Sequence, residues 1–286
     1  MVFNGRTDLA SEAHRLWRQS AGETTALPGV RAEESRHGPL SVTAVEILDE
    51  RGQQALGKPP GLYYTLELPS SFSRDRELFS QAARLLSELL GRCFPFRETT
   101  RVLIAALGNP DITPDAVGPL AASHLLVTRH LKQEDAAAFS GFASTVLCRT
   151  GVLGTTGLES AAQIQSLCRA FPFDCVLVLD ALAGAQADRL CRSVQICNTG
   201  ISPGSGVGND RQALTRESLG LPVLALGVPT VIDASLLSGE RSLHSMFVTP
   251  RDIDSQVRLV SRLLAYGVNL ALHRGLTVED MELLLS

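Results

Sequence analysis

The sequence predicts an α/β fold, specifically a three-layer α/β/α sandwich built on a mostly parallel sheet. Short, mostly apolar runs recur in the middle of the chain, which is typical of strands covered on both faces. Segments with helical spacing of apolar residues lie between these runs, and this alternation is the pattern of a doubly wound sheet. The predicted central strands are Val102–Leu107, Val176–Leu179, Val194–Cys197 and Val223–Gly227.

A small β addition is predicted ahead of this sheet. Residues Ala21–Pro39 are rich in Gly, Pro, Glu and Arg, which indicates an irregular connection. The strands Ser41–Leu48 and Leu62–Leu68 follow it. Apolar residues at helical spacing over Leu78–Leu90 then predict an amphipathic helix that ends at Gly91.

Helices are predicted between the central strands and over the tail. The helices between strands are Asp115–Lys132, Glu159–Phe171 and Thr215–Leu219. A long tail helix is expected to begin near Thr249 and Pro250 and to run through Leu272. Thr277 and Asp280 stand at the capping-box distance and predict a last short helix. We expect one domain, with the first strands and the terminal helices as additions to it.

Composition restricts the classes of partner and the compartment. The net charge of −4 and the sequence pI near 5.9 give no electrostatic reason to expect nucleic acid or a membrane as a partner. No stretch reaches the roughly 20 apolar residues of a membrane span, and the start lacks the regions of a secretion signal. The six cysteines form no C-x-x-C pair, as in a reducing compartment. The predicted location is the cytoplasm.

Aspartates follow the predicted strands at the edge where parallel sheets bind ligands. Asp180 directly follows the strand Val176–Leu179. Asp115 follows Val102–Leu107 after a short loop that contains Asn109, and Asp233 follows the last central strand. These aspartates are therefore expected to gather at one edge of the sheet.

Asp115 and Asp180 also have purely structural interpretations. Asp115 is expected in a first helical turn, with Thr113 as the N-cap, where a carboxylate stabilises the helix dipole by about 0.3–1 kcal/mol. Asp180 follows four apolar residues, so its carboxylate needs either a hydrogen-bonding partner or a chemical task.

Two neighbouring carboxylates have a specific chemical use. One can stay protonated and act as an acid while the other acts as a base on water. The same carboxylates could instead hold a metal ion whose bound water is the nucleophile, and the sequence does not separate these alternatives. No histidine or cysteine joins Asp115 and Asp180 at ligand spacing, so we expect no cofactor and favour metal-free hydrolysis.

A glycine-rich stretch, Gly200–Asn209, is expected to line the site. It contains G-x-S-x-G centred on Ser202, but a nucleophile elbow needs a helix directly after the serine, and Pro203 prolongs the loop. It matches neither dinucleotide nor phosphate-loop patterns. Lys58, between Gly57 and Pro59, is interpreted as a solvated turn lysine. The predicted site-lining residues are Asn109, Gly204, Ser205, Gly206, Asn209 and Asp233.

Nearly the whole chain carries motifs that occur together in one family. They are Arg6–Ala10, Gly57–Pro59, Leu107–Asn109, Thr113–Pro119, Asp180–Ala183, Thr199–Ile201, Pro203–Asn209, Gly227–Ala234 and Val248–Pro250. In these motifs the sequence resembles the germination protease family of spore-forming bacteria. The resemblance implies an endopeptidase that degrades small acid-soluble spore proteins during germination in the spore core. It also implies a homotetramer, a fold akin to the hydrogenase-maturation peptidases, and catalytic roles for Asp115 and Asp180.

The resemblance further implies a zymogen that is shortened at its amino end. Thr7–Glu12 is similar to the family's substrate site, which predicts self-cleavage between Asp8 and Leu9. Residues 1–8 would then be a propeptide and residues 9–286 a single peptidase domain. Alternatively, this segment is not a cleavage site and has only a structural role, as a polar helix start with Thr7 as its N-cap. Two other functions stay open, a metal-dependent maturation peptidase and a non-catalytic peptide-binding paralogue.

Overall fold

The structure is a computed structural model that describes residues 7–21, 27–208, 211–238, 241–243 and 246–285. Its strands are β1 (Val30–His37), β2 (Leu40–Ile47), β3 (Gly61–Glu67), β4 (Arg101–Ala106), β5 (Ser144–Arg149), β6 (Cys175–Gly184), β7 (Ser193–Cys197), β8 (Val223–Asp233) and β9 (Phe247–Val248). Its helices are α1 (Ala10–Ala21), α2 (Glu50–Leu56), α3 (Arg76–Cys93), α4 (Val117–Ala121), α5 (Arg129–Glu134), α6 (Leu153–Thr156), α7 (Ser160–Ala170), α8 (Arg216–Leu219), α9 (Ala234–Ser238), α10 (Ile253–Leu272) and α11 (Val278–Leu284).

These strands form one mixed sheet. The described residues give nine strands in the order β1-β2-β3-β7-β8-β6-β4-β5, with β9 paired to β8. The neighbours β5, β4, β6 and β8 are parallel. This direction was predicted for β4, β6 and β8, whereas β5 was not predicted as a strand. The amino-terminal strands and β7 are antiparallel to their neighbours. The predicted parallel direction was therefore wrong for the strand Val194–Cys197, which corresponds to β7. Its mostly apolar composition indicates a strand that is covered on both faces, but it contains no information on the direction of the strand.

Alternate residues of each central strand enter two separate cores. Leu103, Ala105, Val176 and Val178 pack with apolar residues of α1, α2 and α7. Val102, Ile104, Leu177 and Leu179 pack with α3, α4, α10 and α11 on the opposite face. Burial on both faces removes apolar surface from water, which is the main source of stability in such a fold. The predicted α/β/α sandwich is confirmed.

Capping residues define several of the predicted helices. Asp75 accepts a hydrogen bond from the Leu78 N–H at 3.0 Å and starts α3, which continues past the expected end at Gly91 to Cys93. Thr215 and Thr277 form the capping boxes of α8 and α11. Among the helices of the described ranges, none has the length and apolarity that a membrane crossing requires. All six cysteines are free thiols.

One segment expected to be irregular is a strand. β1 lies within the predicted connection Ala21–Pro39 and pairs with β2 from Val30↔Ile47 to His37↔Leu40. Most of its side chains are exposed, so its stability comes from backbone pairing, which a polar sequence does not reveal. Gly38, with φ of 63°, makes the tight turn between the two strands.

The predicted helix Asp115–Lys132 is wrong, because the segment is broken. After α4, a short 3₁₀ turn over Ala122–His124 leads to extended backbone at Leu125. Asn269 of α10, which is fully buried, satisfies this break. Its Nδ2 donates to the His124 carbonyl at 2.8 Å, and its Oδ1 accepts from the Leu126 N–H at 3.0 Å. A distant side chain thus replaces the helical hydrogen bonds.

The strands that carry Asp180 and Asp233 are longer than predicted. β6 continues past Leu179 to Gly184, so Asp180 lies within the strand, in register with Gly227. β8 continues to Asp233 and carries that residue beyond the point where the parallel strands were expected to end. The tail helix α10 begins at Ile253, and Thr249 donates to the Thr230 carbonyl at 3.0 Å instead of capping it.

Candidate active site

A cleft of about 480 Å³ opens beside the carboxyl ends of β4 and β5 and along β6. Asp115 and Asp180 both line it, so the structure brings these two predicted residues together. Asp8, from the start of the described chain, lines the same cleft. The volume is within the range of about 300–1,000 Å³ that is usual for ligand pockets.

Backbone contacts fix the position of Asp115. It closes a 3₁₀ turn, Thr113–Asp115, and its Oδ2 accepts a hydrogen bond from the Asn109 N–H at 2.9 Å. The hydroxyl of the buried Thr230 donates to the Pro114 carbonyl at 2.7 Å and ties this turn to β8. Thr113 is not the predicted N-cap, because its hydroxyl donates to Asp254 of α10 at 2.7 Å.

Glycine is required where the Asp115 segment meets the strands. A Cβ at Gly118 would lie 2.2 Å from the Leu107 carbonyl oxygen and 2.7 Å from that of Leu179. Gly108 has φ of 115°, and a Cβ there would lie 2.0 Å from the Asp115 carbonyl oxygen. Any side chain at these positions would therefore push Asp115 away from β4 and β6.

Asp180 is enclosed by the sheet. Its side chain is 5% exposed, and its Oδ1 accepts a hydrogen bond from the Ala181 N–H at 2.9 Å. Gly227 stands opposite it on β8, where a Cβ would lie 2.5 Å from Leu182 Cγ. A carboxyl group held in this way is neither solvated nor paired with a cation among the described residues.

Burial makes the two carboxyl groups unequal. Burial raises the pKa of Asp180 well above its ordinary value, the charge of Asp115 raises it further, and the Ala181 N–H acts in the opposite direction. Burial also raises the pKa of Asp115, against the effect of the Asn109 N–H. Asp115 is half-buried and Asp180 is buried, so Asp180 is the group that keeps its proton.

The segment Thr7–Leu9 is bound beside these acids. The Asp8 carboxylate accepts hydrogen bonds from the Ala183 N–H at 2.8 Å and from the Ser205 hydroxyl at 3.0 Å. Gln195 donates to the Asp8 carbonyl at 2.7 Å, and Leu9 is fully buried. Thr7 accepts from the Leu9 N–H at 3.1 Å, directly before α1.

The other predicted site residues divide between the cleft and its surroundings. Gly204 and Gly206 line the cleft, and Ser205 lines an adjoining cavity. Asn109 contributes its backbone N–H, while its side chain accepts from the Asp111 N–H at 3.0 Å. Asn209 lies outside the described residues.

Asp233 is not among the residues that line the cleft. It lies at the end of β8 and accepts hydrogen bonds from the Ser235 N–H at 2.9 Å and from its hydroxyl at 2.6 Å. The expectation that Asp233 joins Asp115 and Asp180 stays a prediction: Thr230 and Val231 of β8 line the cleft, and β8 continues from them to Asp233.

Several residues of the site were missed by sequence reasoning. Arg211 and Glu159 line the cleft and form an ion pair at 3.5 Å. Thr230 supports the Asp115 turn, and Gln195 holds the Asp8 segment. Lys58 lines the adjoining cavity and is half-buried, so the interpretation as a solvated turn lysine is wrong. In the sequence, the position of Lys58 between Gly57 and Pro59 was the only indication that its backbone is fixed.

Within the described ranges, no group of three or more His, Cys, Asp or Glu side chains is arranged to hold a metal ion.

Fold and site together define a class, that of α/β proteins in which two aspartates, Asp115 and Asp180, line one cleft. The chain belongs to the germination protease family, whose sequence model matches residues 8–242. The protein is therefore a peptidase of that family.

Individual relatives align over almost the whole chain. The germination protease of Caldanaerobacter subterraneus subsp. tengcongensis is 37% identical over 326 aligned residues, covering 100% of this chain and 99% of the relative. That of Clostridium tetani is 34% identical, covering 96% of this chain and 98% of the relative. That of Bacillus cereus strain B4264 is 37% identical, covering 98% of this chain and 77% of the relative.

Proposed function

We propose that this peptidase is an endopeptidase that starts the degradation of small acid-soluble spore proteins during spore germination, with Asp115 and Asp180 as its catalytic residues. Family membership supports the protease activity and the link to germination. The observation that carries the catalytic assignment is the shared cleft in which one aspartate is buried and its neighbour is half-buried.

The pair supplies an acid and a base for peptide hydrolysis. The ionised Asp115 carboxylate takes a proton from a water molecule while the oxygen of that water attacks the scissile carbonyl carbon. Asp180, protonated, gives its proton to the carbonyl oxygen, which forms a neutral tetrahedral intermediate. The C–N bond then breaks as Asp115 passes its proton to the leaving nitrogen and Asp180 recovers a proton from the intermediate's hydroxyl. Both carboxyl groups return to their starting states.

A cleavage assay tests the assignment. Purified protein incubated with a small acid-soluble spore protein should produce discrete fragments. Asp115→Asn and Asp180→Asn should each reduce kcat by about 100-fold or more while the circular dichroism spectrum is retained. Asp111→Asn is the matched control, because this exposed aspartate lies in the same loop as Asp115. Wild-type turnover in either site variant would remove that residue from the mechanism.

The proposed mechanism needs no metal ion. We therefore expect cleavage to continue unchanged after dialysis against a chelator, and metal analysis of the active protein to find less than one zinc or nickel ion per chain. Activity lost on chelation and restored by adding the metal back would contradict the acid–base mechanism and favour a metal-activated water.

We also propose self-processing between Asp8 and Leu9. The support is the position of Asp8 in the cleft that holds Asp115 and Asp180. Because Leu9 is fully buried, the segment has to shift before the bond reaches the catalytic carboxyl groups. Mass spectrometry under mildly acidic conditions should show a mature chain of residues 9–286. A fully active protein that retains residues 1–8 would contradict this.

The location and assembly complete the proposal. We place the enzyme in the cytoplasm of the spore core as a homotetramer, as the family resemblance implies. Light scattering at several concentrations checks the assembly, and a constant monomer mass would contradict it.

A further inference from the structure

Glu12 is a fully buried carboxyl group in the first turn of α1, and the proposed mechanism does not use it. Its Oε2 accepts a hydrogen bond from the Ala185 N–H at 2.7 Å and another from the Thr7 hydroxyl. Its Oε1 is also buried and has no hydrogen-bond partner of normal geometry among the described residues. A buried carboxylate oxygen without a donor is costly, so this carboxyl group could accept a further donor or a cation.

Only the Thr7 hydroxyl separates Glu12 from the backbone nitrogen of Leu9. The Leu9 N–H donates to Thr7 Oγ1 at 3.1 Å, and the same hydroxyl donates to Glu12 Oε2. Leu9 directly precedes α1, and Glu12 is the third residue of that helix. A carboxylate at this third position can reach back to the nitrogen of the residue before the helix, as it does in a capping box.

Thr7 is the main group that offsets the burial of Glu12. Burial raises the pKa of Glu12, whereas the Thr7 hydroxyl lowers it most and the Ala185 N–H comes next. The charge of Arg189 also lowers the pKa of Glu12, and the charge of Glu12 favours the ammonium form of Lys58. Loss of Thr7 would therefore remove the largest effect that favours the Glu12 carboxylate, unless another donor replaces it.

The start of α1 is held by contacts that do not involve residues 1–8. Gln195 Oε1 accepts from the Ala10 N–H at 2.6 Å, and Ser11 Oγ accepts from the buried Arg189 at 2.7 Å. Leu9 and Ala10 are both fully buried. Because these contacts remain when residues 1–8 leave, they keep the new end of the chain beside Glu12.

A cut before Leu9 creates a cation at this position. Hydrolysis breaks the Asp8–Leu9 bond, adds the oxygen of water to the Asp8 carbonyl carbon and gives both protons of that water to the Leu9 nitrogen. Asp8 then ends in an α-carboxylate, and Leu9 begins with an α-ammonium group. A positive charge at the start of a helix is unfavourable, because that end of the helix dipole is itself positive. The ammonium group therefore needs an anion close to it.

We infer that the α-ammonium group of Leu9 takes the place of the Thr7 hydroxyl after processing and binds the Glu12 carboxylate. The Ala185 N–H remains as a further donor, which a buried ion pair needs in order to be stable. Glu12 is thus the binding site of the new amino terminus and a positioning residue for Ala185, which follows β6. The inference rests on the proposed self-processing and adds to it the contact that holds the processed chain together beside its cleft.

The proton affinity of the Leu9 amine tests this contact. In the processed wild type the amine should titrate at least about one pH unit higher than in the processed Glu12→Gln variant, because a carboxylate favours the ammonium form. The rate at which trace acetic anhydride labels Leu9 at a series of pH values, read by mass spectrometry, measures the titration. Glu50→Gln is the control, because Glu50 is an exposed carboxylate in the first turn of α2. The same titration in the wild type and in Glu12→Gln would overturn the inference.

A reference that needs no variant comes from the processed wild type in urea. Unfolding separates Leu9 from Glu12, so it should lower the titration of the amine by about one pH unit. An amine that titrates at the same pH, or at a lower pH, in the folded chain would contradict the ion pair even if Glu12→Gln does not fold.

Hydrogen exchange compares the two forms of the chain. In full-length Asp115→Asn protein, which should retain residues 1–8, adding Glu12→Gln should change exchange at the Ala185 amide by less than about threefold, because an amide oxygen still accepts from Thr7. In the processed chain the same substitution should speed this exchange by about 10-fold and leave β4 unchanged. Equal effects in the two forms would show that Glu12 has only a structural role and binds no amino terminus.

The proposed self-processing and this inference fail in different ways. If no cut occurs before Leu9, the proposed processing is wrong. The processed chain is then released from a fusion partner so that Leu9 is its first residue, and circular dichroism checks that it folds like the full-length protein. If the Leu9 amine of that chain titrates alike with and without the Glu12 carboxylate, the inference is wrong, whether or not the enzyme cleaves itself.

Discussion

Asp180 illustrates how a single buried carboxyl group links chemistry to stability. Burial raises the pKa of Asp180 well above the ordinary value of 3.8. Between 3.8 and the raised value, the unfolded chain has lost this proton and the folded chain keeps it. The free energy of unfolding therefore falls as pH rises through this window. Below it, both states are protonated and Asp180 has no effect.

For this reason Asp180→Asn should make the folded protein more stable, whatever its effect on cleavage. We expect the free energy of unfolding at pH 7 to rise by at least about 1 kcal/mol, since one unit of pKa is worth about 1.4 kcal/mol. The gain should disappear near pH 4. Urea unfolding at the two pH values measures it, with the exposed Asp111→Asn as control. A variant that is less stable than the wild type at pH 7 would show that the carboxyl group has a structural partner.

The residues of the site differ in how far the sequence reveals them. Asp180 directly follows a strongly apolar run, where a carboxylate is costly, and Asp115 follows the loop after another such run. These positions at the edge of the sheet made them candidates. Lys58 follows a turn glycine and precedes proline, a pattern typical of solvent-exposed loops. Its place at a cavity depends on β3 and β7 packing beside it, and these contacts are remote in sequence. The same holds for Gln195, which contacts a segment 187 positions away.

At the level of the elements, Gly118 sets the distance between α4 and the strands. Gly118→Ala should destabilise the protein by about 1–3 kcal/mol, because the added methyl group meets backbone atoms that cannot turn aside. It should also lower kcat/KM by about 10-fold or more through displacement of Asp115. Thermal unfolding and peptide kinetics measure the two effects.

Gly91→Ala provides the control for Gly118→Ala. Gly91 lies in α3, and a Cβ there has no neighbour within 4 Å. This change should raise stability by about 0.5–1 kcal/mol through helix propensity alone. If the two substitutions changed stability and kcat/KM in the same way, the close contact of α4 with the strands would not be what determines these two quantities.

The interrupted helix shows why some elements escape sequence reasoning. Residues after Asp115 have helical spacing, yet the backbone leaves the helix where Asn269 offers it other hydrogen bonds. A local pattern contains no information on a partner about 140 positions away. α3, α7 and α8 have no such competitor, and their amphipathic spacing or caps were sufficient to predict them.

For the molecule as a whole, one buried histidine predicts sensitivity to acid. His273 is 1% exposed and packs on Phe142, with ring centroids 4.8 Å apart. Burial and the charge of Lys132 lower the pKa of His273 from 6.5 to about 4. The unfolded chain gains a proton at this residue below pH 6.5, whereas the folded chain does so only near pH 4. Stability is therefore lost as pH falls through this window.

His273→Phe should remove that loss while keeping an aromatic contact with Phe142. The lowered pKa of His273 corresponds to a loss of about 3 kcal/mol in the free energy of unfolding between pH 7 and pH 4. Unfolding at a series of pH values measures it, and His37→Phe on the exposed strand β1 is the control. If the free energy of unfolding of both variants depends on pH as it does in the wild type, His273 is not the source of the acid sensitivity.

The layered architecture was predictable from the sequence, and the direction of every strand was not. Continuous apolar runs identify strands that are covered on both faces, and these runs give the sandwich. The direction of a strand depends on the segments that connect it to the neighbouring strands. β6 and β7 are joined through a short segment that contains a 3₁₀ turn, and β7 returns antiparallel to β8. No residue pattern within Val194–Cys197 distinguishes that return from a parallel crossover.

The place of Asp8 gives processing an electrical effect besides the steric one. A cut before Leu9 would remove a carboxylate from the cleft and create a positively charged amino terminus in its place. The charge of Asp8 is one of the causes that raise the pKa of Asp180. Its loss would let Asp180 ionise at a lower pH. The precursor and the shortened chain would then carry the same two aspartates with different proton affinities, and the upper pH limit of cleavage would move down when the propeptide leaves.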